Sequence, residues 1–214
     1  NKLVWNKPNL KSYDKNILKY VRDPHQKNGG LKILQGNIGR GVIKISAVQL
    51  HHQKIKASAM VFDDQNDVKT AYDKGLLNRD VIIVVRFQGP KANGMPELHA
   101  LSPILSNIQD SGFKVGLLTD GRMSGASGKV PAAIHITPEA IDNGIIGKIR
   151  NGDEIEIDAI SGKINVKEEI SSRELIVPTT SCQDSGFGRN LFALLRKNAV
   201  GAESGAGLDL MNNN

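Results

Sequence analysis

The stretch VIIVVRFQGPKANGMPELHALSPILSNIQDSGFKVGLLTDGRMSGASGK, residues 81–129, decides the fold class. It begins with five branched apolar residues, Val81–Val85, and a continuous run of this kind predicts a strand that is buried on both faces. A helix is predicted over residues 96–110, closed by Gly112, and a second buried strand over residues 115–119. Strand, helix and strand in this order form a crossover unit, which places the loops after both strands at the same edge of a sheet.

Shorter elements are predicted on both sides of this unit. Upstream, a helix is expected to begin at Asp63 or Asp64, because aspartate accepts the free amide bonds of a helix start, and to stop at Gly75. Downstream, glycines at bends predict a short-turned antiparallel group, and a last helix is expected near residues 190–200. The predicted upstream strands are residues 31–34, 42–48 and 58–62, and the antiparallel group comprises residues 145–150, 153–160 and 163–166.

These elements are expected to form one domain. A chain of 214 residues with 39% hydrophobic content is long enough for one sizeable core. We therefore expect an α/β domain over residues 29–200, preceded by a linker or wrapping arm at residues 1–28 and followed by a mobile tail at residues 201–214.

Composition narrows the class of function. No apolar run reaches the roughly 20 residues of a membrane helix, and residues 1–6 lack the apolar core of a signal peptide, so a cytoplasmic protein without a membrane partner is expected. The net charge is +6, but the basic residues are scattered and 4% of residues are aromatic, which argues against a nucleic-acid partner. Cys182 is the one cysteine, so this chain alone cannot supply the cysteines of a zinc site or an iron–sulfur cluster.

The loop TDGRMSGASGK, residues 119–129, combines backbone freedom with polar groups. Gly121, Gly125 and Gly128 allow the backbone to approach a ligand, and successive amides in such a loop can bind a carboxylate or a phosphate. The alternative is a glycine-rich turn with two solvated hydroxyls. The loop is not a Walker phosphate loop, because Lys129 is followed by valine rather than serine or threonine.

Glu97 lies in the companion loop and is expected in the first turn of the following helix. There it could be a ligand of a magnesium ion, which binds one or two carboxylates together with substrate oxygens, or it could simply favour the helix dipole. His99 and His135 are interpreted as structural, the commoner role of a lone histidine. The GxSxG pattern of many hydrolases is absent around Ser124.

Two segments resemble the dihydroxyacid and sugar-acid dehydratase family. They are VVRFQGPKANGMPELHAL at residues 84–101 and LLTDGRMSGASGKVPAAIHITPEA at residues 117–140, and the similarity extends over about residues 29–166. Within the family, the forms NGMPELH and SGASGKVPAA resemble the 6-phosphogluconate dehydratase branch. The dihydroxyacid branch typically has GPGMREM-like and SGGTRG-like loops, and the chain departs from these at Ala92, Asn93, Pro96, Ala126, Ser127 and Lys129.

The resemblance implies a swivelling β-barrel-like α/β domain with a mixed sheet and flanking helices. This domain would close over an amino-terminal domain that holds an iron–sulfur cluster and most ligands of a Mg²⁺ ion, and the full enzyme is expected to be a homodimer. Ser124, as an alkoxide, would be the general base, and Glu97 would be a Mg²⁺ ligand. The substrate-binding residues would be Arg122, Ser124, Gly125, Ala126, Ser127 and Lys129.

The implied reaction is a dehydration that converts 6-phospho-D-gluconate to 2-dehydro-3-deoxy-6-phospho-D-gluconate, a step of the Entner–Doudoroff pathway. A proton leaves C2 and hydroxide leaves C3, and Lewis-acid metals assist both events. The isolated domain would be inactive, because it supplies half of the site. Two alternatives stay open: a domain of another sugar-acid or dihydroxyacid dehydratase, and a noncatalytic module that binds anions through the glycine loop.

Overall fold

The computed structural model describes residues 2–8, 11–124, 128–178 and 186–209. The strands are β1 (Leu31–Gly36), β2 (Gly39–Lys44), β3 (Lys54–Phe62), β4 (Val81–Val85), β5 (Val115–Thr119), β6 (Ala132–Thr137), β7 (Glu154–Asp158) and β8 (Lys163–Val166). The α-helices are α1 (Gln65–Asp73), α2 (Pro90–Asn93), α3 (Leu101–Asp110), α4 (Phe187–Leu191) and α5 (Ala193–Lys197). Within the described residues, the strands close into one barrel in the order β1-β2-β6-β5-β4-β3-β7-β8. The predicted α/β class with a barrel-like mixed sheet is confirmed.

The wall of the barrel contains a parallel group formed by β3, β4, β5 and β6. Val85 at the end of β4 is paired with Thr119 at the end of β5. Both strands are buried along their whole length. The crossover unit predicted from the sequence is therefore present, and the loops that follow β4 and β5 leave the sheet side by side.

Two separate cores bury the two faces of β4. Ile82 and Val84 belong to the core inside the barrel, whereas Val81, Ile83 and Val85 pack outside it with residues of α1 and α3. The side chains of a strand alternate between its faces, so a strand with a core on each side must be apolar at every position. Full burial of one such side chain stabilises the fold by about 1.5–3 kcal/mol, which makes β4 a principal source of stability.

The helix predicted from Pro96 begins later in the structure. Pro90 begins α2, and α3 starts only at Leu101. Between the two helices, Glu97 forms a parallel bridge with Arg122, and the Leu98 amide donates to the Arg122 carbonyl oxygen over 3.1 Å. This backbone pairing holds Glu97 and Leu98 in an extended conformation, so the helix cannot begin at Pro96. The expectation that Glu97 lies in a first helical turn is wrong. The interpretation that its carboxylate favours a helix dipole is therefore wrong as well.

Other elements also differ from the sequence-based expectations. The strand predicted at residues 145–150 is a 3-10 helix, Ile145–Lys148, and the helix predicted near residues 190–200 is the pair α4 and α5. The antiparallel pairing of β7 with β8 is present as predicted. The domain limits at residues 28 and 200 remain predictions, and none of the helices in the described part of the chain is long and apolar enough to span a bilayer.

Strand β6 was not predicted at all. His135 has a φ of 57°, and the pairing of β2 with β6 shifts its register beside it. Ala133 and Ile136 therefore both reach the inner core, three residues apart, and the period-two pattern that identifies a strand is broken.

Asp120 is a fully buried carboxylate directly after β5. Its Oδ1 accepts a hydrogen bond from the Gln88 amide, and its Oδ2 accepts one from the Ala140 amide, each over 2.9 Å. Burial raises the pKa of Asp120, while the backbone hydrogen bonds oppose that rise. One carboxylate thus ties the loop after β4 and the loop after β6 to the end of β5.

We predict that Asp120→Ala lowers the free energy of unfolding by about 2–5 kcal/mol, because it leaves two buried amides without an acceptor. Urea unfolding of the chain, followed by circular dichroism, measures this loss. Asp67→Ala removes an exposed carboxylate from α1 and should change the same free energy by no more than about 0.5 kcal/mol. Similar losses in the two variants would contradict the role given to Asp120.

Candidate active site

A cleft of about 430 Å³ lies on the outside of the barrel beside the loop that follows β5. Polar and apolar side chains line different parts of it. The polar ones are Lys44, Glu97, Arg122, Ser124 and His135, and the apolar ones are Leu31, Met123, Val130, Ala132 and Ile134. A cleft with apolar walls and a few convergent polar groups is the usual form of a small-molecule site.

Glu97 and Ser124 contact each other in this cleft. The Oε1 atom of Glu97 accepts a hydrogen bond from the Ser124 backbone amide over 2.6 Å, and its Oε2 atom lies 3.8 Å from Nη1 of Arg122. The Glu97 side chain is 36% exposed, so solvent and ligands can reach it. The carboxylate therefore has two functions available: it orients the backbone of Ser124, and it presents negative charge to the cleft.

Arg122 joins the two loops that the sequence predicted to meet. Its Nε donates to the Met95 carbonyl oxygen over 2.8 Å, in addition to the contact with Glu97. Gly121 precedes it where the loops approach closely, because a Cβ atom at this position would lie 2.7 Å from Cβ of Gln88. Only glycine fits there without displacing the loop after β4.

His135 reaches the same cleft from β6. Its backbone amide donates to the Gly121 carbonyl oxygen over 2.9 Å, which fastens β6 to the Ser124 loop. Burial lowers the pKa of His135, and the charge of Arg122 lowers it further, so both favour the neutral imidazole. A neutral imidazole can donate one hydrogen bond and accept another. His99, by contrast, is exposed in the turn before α3 and does not line the cleft.

The described residues hold no converging group of three or more histidine, cysteine, aspartate or glutamate side chains. Magnesium needs no such cage, since one or two carboxylates and substrate oxygens suffice. The exposed carboxylate of Glu97 beside Ser124 fits one corner of such a site, and the other ligands would come from the substrate or another part of the protein. An iron–sulfur cluster does not fit, because the sequence contains one cysteine.

Comparison with known proteins identifies the family to which this chain belongs. The family model described as dihydroxy-acid/6-phosphogluconate dehydratase C-terminal matches residues 16–206, a range that includes both loops of the cleft. The chain belongs to this family. The match confirms the family resemblance that the two loop sequences indicated.

Several curated members of the family are similar to this dehydratase domain. It is 49% identical over 207 residues to phosphogluconate dehydratase of Escherichia coli K12, covering 95% of this chain and 34% of that protein. It is 52% identical over 197 residues to phosphogluconate dehydratase of Rhizobium meliloti, covering 91% and 32%. It is 39% identical over 168 residues to dihydroxy-acid dehydratase of Caldanaerobacter subterraneus, covering 75% and 30%. The chain spans about a third of the length of the curated relatives that it matches.

The structure of the dehydratase domain brings some of the predicted site residues together and leaves others apart. Glu97, Arg122 and Ser124 share the cleft. Lys129 does not line it, since its Nζ is paired with both carboxylate oxygens of Asp110 on α3, at 2.5 and 2.6 Å. Substrate binding by Lys129 stays a prediction that requires it to leave this ion pair. The structure does not describe the remaining predicted substrate-binding residues, which are Gly125, Ala126 and Ser127. Cys182 also lies outside the described residues.

Glu139 is a second buried carboxylate that sequence reasoning left without a role. Its Oε2 accepts from the amides of Lys91 and Ala92, over 3.2 and 3.3 Å, at the start of α2. Burial raises the pKa of Glu139 to about 7, and the charge of Asp120 contributes to the rise, although the two amide bonds oppose it. The loop after β4 is therefore held by a carboxyl group that titrates near neutral pH.

We predict a pH-dependent stability that the variant Glu139→Gln removes. The folded pKa of about 7 lies above the usual value of 4.5, so the folded chain keeps a proton that the unfolded chain has lost, and stability falls as pH rises between these values. Glutamine stays neutral and keeps an oxygen acceptor. The free energy of unfolding of the wild type, measured relative to that of the variant, should therefore decrease from pH 5 to pH 8.

Chemical unfolding at several pH values tests this prediction. The exposed Glu174 provides the control, because Glu174→Gln makes the same chemical change at a position outside the loop after β4. A constant difference between wild type and Glu139→Gln over this range would show that Glu139 is already ionised at pH 5.

Proposed function

We propose that this chain is the carboxyl-terminal domain of a phosphogluconate dehydratase, which converts 6-phospho-D-gluconate to 2-dehydro-3-deoxy-6-phospho-D-gluconate and water. The observation that carries the proposal is the contact between Glu97 and Ser124 in the cleft, a carboxylate and a hydroxyl residue fixed side by side. Identity favours this branch over dihydroxy-acid dehydratase, at 49% over 95% of the chain against 39% over 75%.

Ser124 has the position of a general base in this proposal. It would accept the C2 proton while the Glu97 carboxylate holds its backbone in place. A serine hydroxyl is a weak acid and becomes a base only where positive charge stabilises its ionised form. Arg122 supplies part of that charge in the cleft.

The rest of the site would come from an amino-terminal domain of the same enzyme, consistent with a chain that spans about a third of its relatives. That domain would hold the iron–sulfur cluster and most ligands of the Mg²⁺ ion, with Glu97 as the ligand from this chain. Bound there, the metals would act as Lewis acids toward the charge formed next to C2 and the departing hydroxide. We expect the full enzyme to be a homodimer and to act in the cytoplasm, where a phosphorylated acid is retained because its charges do not cross apolar membranes.

Turnover by the full-length enzyme tests the proposed function directly. It should dehydrate 6-phosphogluconate and leave branched dihydroxy acids largely unreacted. Preference for the branched acids would assign the chain to the dihydroxyacid branch. Binding of phosphate and sugar acids by calorimetry without turnover of any of them would favour a noncatalytic anion-binding module.

In the full-length enzyme, Ser124→Ala should slow removal of the C2 proton by roughly a hundredfold to ten-thousandfold, the usual contribution of a general base. Substrate binding should survive, because the contact with Glu97 uses the Ser124 backbone amide, which alanine keeps. Deuterium exchange from solvent into C2 reports the chemical step, and a binding titration reports affinity. Ser102→Ala, at a serine whose Oγ contacts Met123 and does not line the cleft, is the control. Wild-type exchange in Ser124→Ala would identify another residue as the base.

We also predict that Glu97→Gln in the full-length enzyme raises the Mg²⁺ concentration needed for half-maximal activity. Glutamine keeps an oxygen that can accept from the Ser124 amide, so the change removes charge with little loss of structure. Magnesium titrations of activity measure the shift, and Glu156→Gln, on the exposed side of β7, is the matched control. An unchanged Mg²⁺ requirement would leave Glu97 as a residue that positions Ser124.

A further inference from the structure

The cleft has a cationic side chain on each side of strand β6. Among the described residues that line it, Lys44 and Arg122 carry a positive charge. Lys44 ends β2 and Arg122 follows β5, and both strands are hydrogen-bonded neighbours of β6. Strands β2 and β5 themselves lie two strand spacings apart, or about 10 Å, on either side of β6.

The two cations are held in different ways. Arg122 donates to the Met95 carbonyl oxygen and lies beside Glu97, so part of its charge is used within the loop pair next to Ser124. Lys44 is placed by the barrel itself: it pairs with Leu31 on β1, while its neighbour Ile43 points into the inner core. Alternation along β2 directs the Lys44 side chain outward, over the cleft.

An apolar surface separates these two charges. Ala132 and Ile134 on β6 form its centre, and Leu31, 66% exposed, forms its edge beside Lys44. A ligand that satisfies the whole cleft needs an anion near Ser124, a carbon chain over the apolar surface, and a second anion near Lys44. A straight-chain sugar acid with a phosphate at the far end has this distribution of charge, whereas a short branched dihydroxy acid lacks the second anion.

We propose that Lys44 binds the phosphate of the substrate and determines the preference for a phosphorylated sugar acid over an unphosphorylated one. The inference rests on the proposed function, because it assumes that C2 is presented to Ser124. Lysine suits this task as a point charge on a flexible stem, which can follow a phosphate that rotates about its ester bond. Lys44 would thus act on affinity and leave the chemical step to the Ser124 loop.

The test compares Lys44→Gln with the wild type in the full-length enzyme. The KM for 6-phosphogluconate should rise roughly tenfold to a hundredfold, as expected when one charged hydrogen bond is lost, with kcat at saturation within about threefold. Unphosphorylated D-gluconate, used as a competitive inhibitor, should keep its inhibition constant within about twofold, because it offers Lys44 no phosphate. Lys44→Arg should recover most of the affinity, since it keeps the charge.

Lys163→Gln is the matched control, because it removes the same charge from an exposed position on β8, outside the cleft. It should leave both constants unchanged. An unchanged KM for 6-phosphogluconate in Lys44→Gln, or an equal loss of affinity for 6-phosphogluconate and D-gluconate, would overturn the assignment of Lys44 to the phosphate. A wild-type enzyme that does not turn over 6-phosphogluconate would instead overturn the proposed function, and the role of Lys44 with it.

Discussion

The site depends on one buried carboxylate, that of Asp120. Because its two oxygens accept from the amides of Gln88 and Ala140, the loops after β4 and β6 are held against the end of β5. The four residues that follow, up to Ser124, begin from this anchored point. A buried carboxylate is costly unless its oxygens are satisfied, and here both oxygens have amide partners. The loop that carries Ser124 therefore starts from a fixed position.

A second carboxylate, Glu139, extends the same arrangement to α2. It accepts from the amides at the start of that helix, close enough to Asp120 for the charge of Asp120 to raise the pKa of Glu139. Burial is the main cause that raises the pKa of Glu139 to about 7, and the charges of Asp120 and Asp142 add to it against the two amide hydrogen bonds. The carboxyl group that fixes the loop leading to Glu97 thus lowers the free energy of unfolding at neutral pH. Active sites commonly concentrate such costs where position matters more than stability.

The sequence correctly predicted the elements that depend on a local pattern of residues. It failed for those that depend on pairing between residues distant in the chain. The apolar run of β4 and the strand, helix and strand order correctly predicted that the Glu97 and Ser124 loops meet. The closure of the barrel was not readable from periodicity, because β6 is interrupted at His135, whose left-handed backbone breaks the alternation. Glu97 was misplaced because a bridge to Arg122, distant in sequence, outweighs the local preference of Pro96 for a helix start. Asp120 could have been suspected, since it directly follows a buried strand at the edge where loops converge.

The charges of the cleft explain why the proposed chemistry needs a second domain. Lys44 and Arg122 are suited to anion recognition, yet Arg122 is partly neutralised by Glu97 beside Ser124. Near a partly exposed surface the attraction between two unit charges about 4 Å apart is only a few kcal/mol, which is too little to ionise a serine hydroxyl at neutral pH. For the proposed chemistry, the missing positive charge would have to reach Ser124 from outside this chain, and Glu97 is the residue that would share it. In the proposed function, recognition of the substrate would thus belong to the barrel, whereas activation of the base would depend on what the rest of the enzyme brings to Glu97.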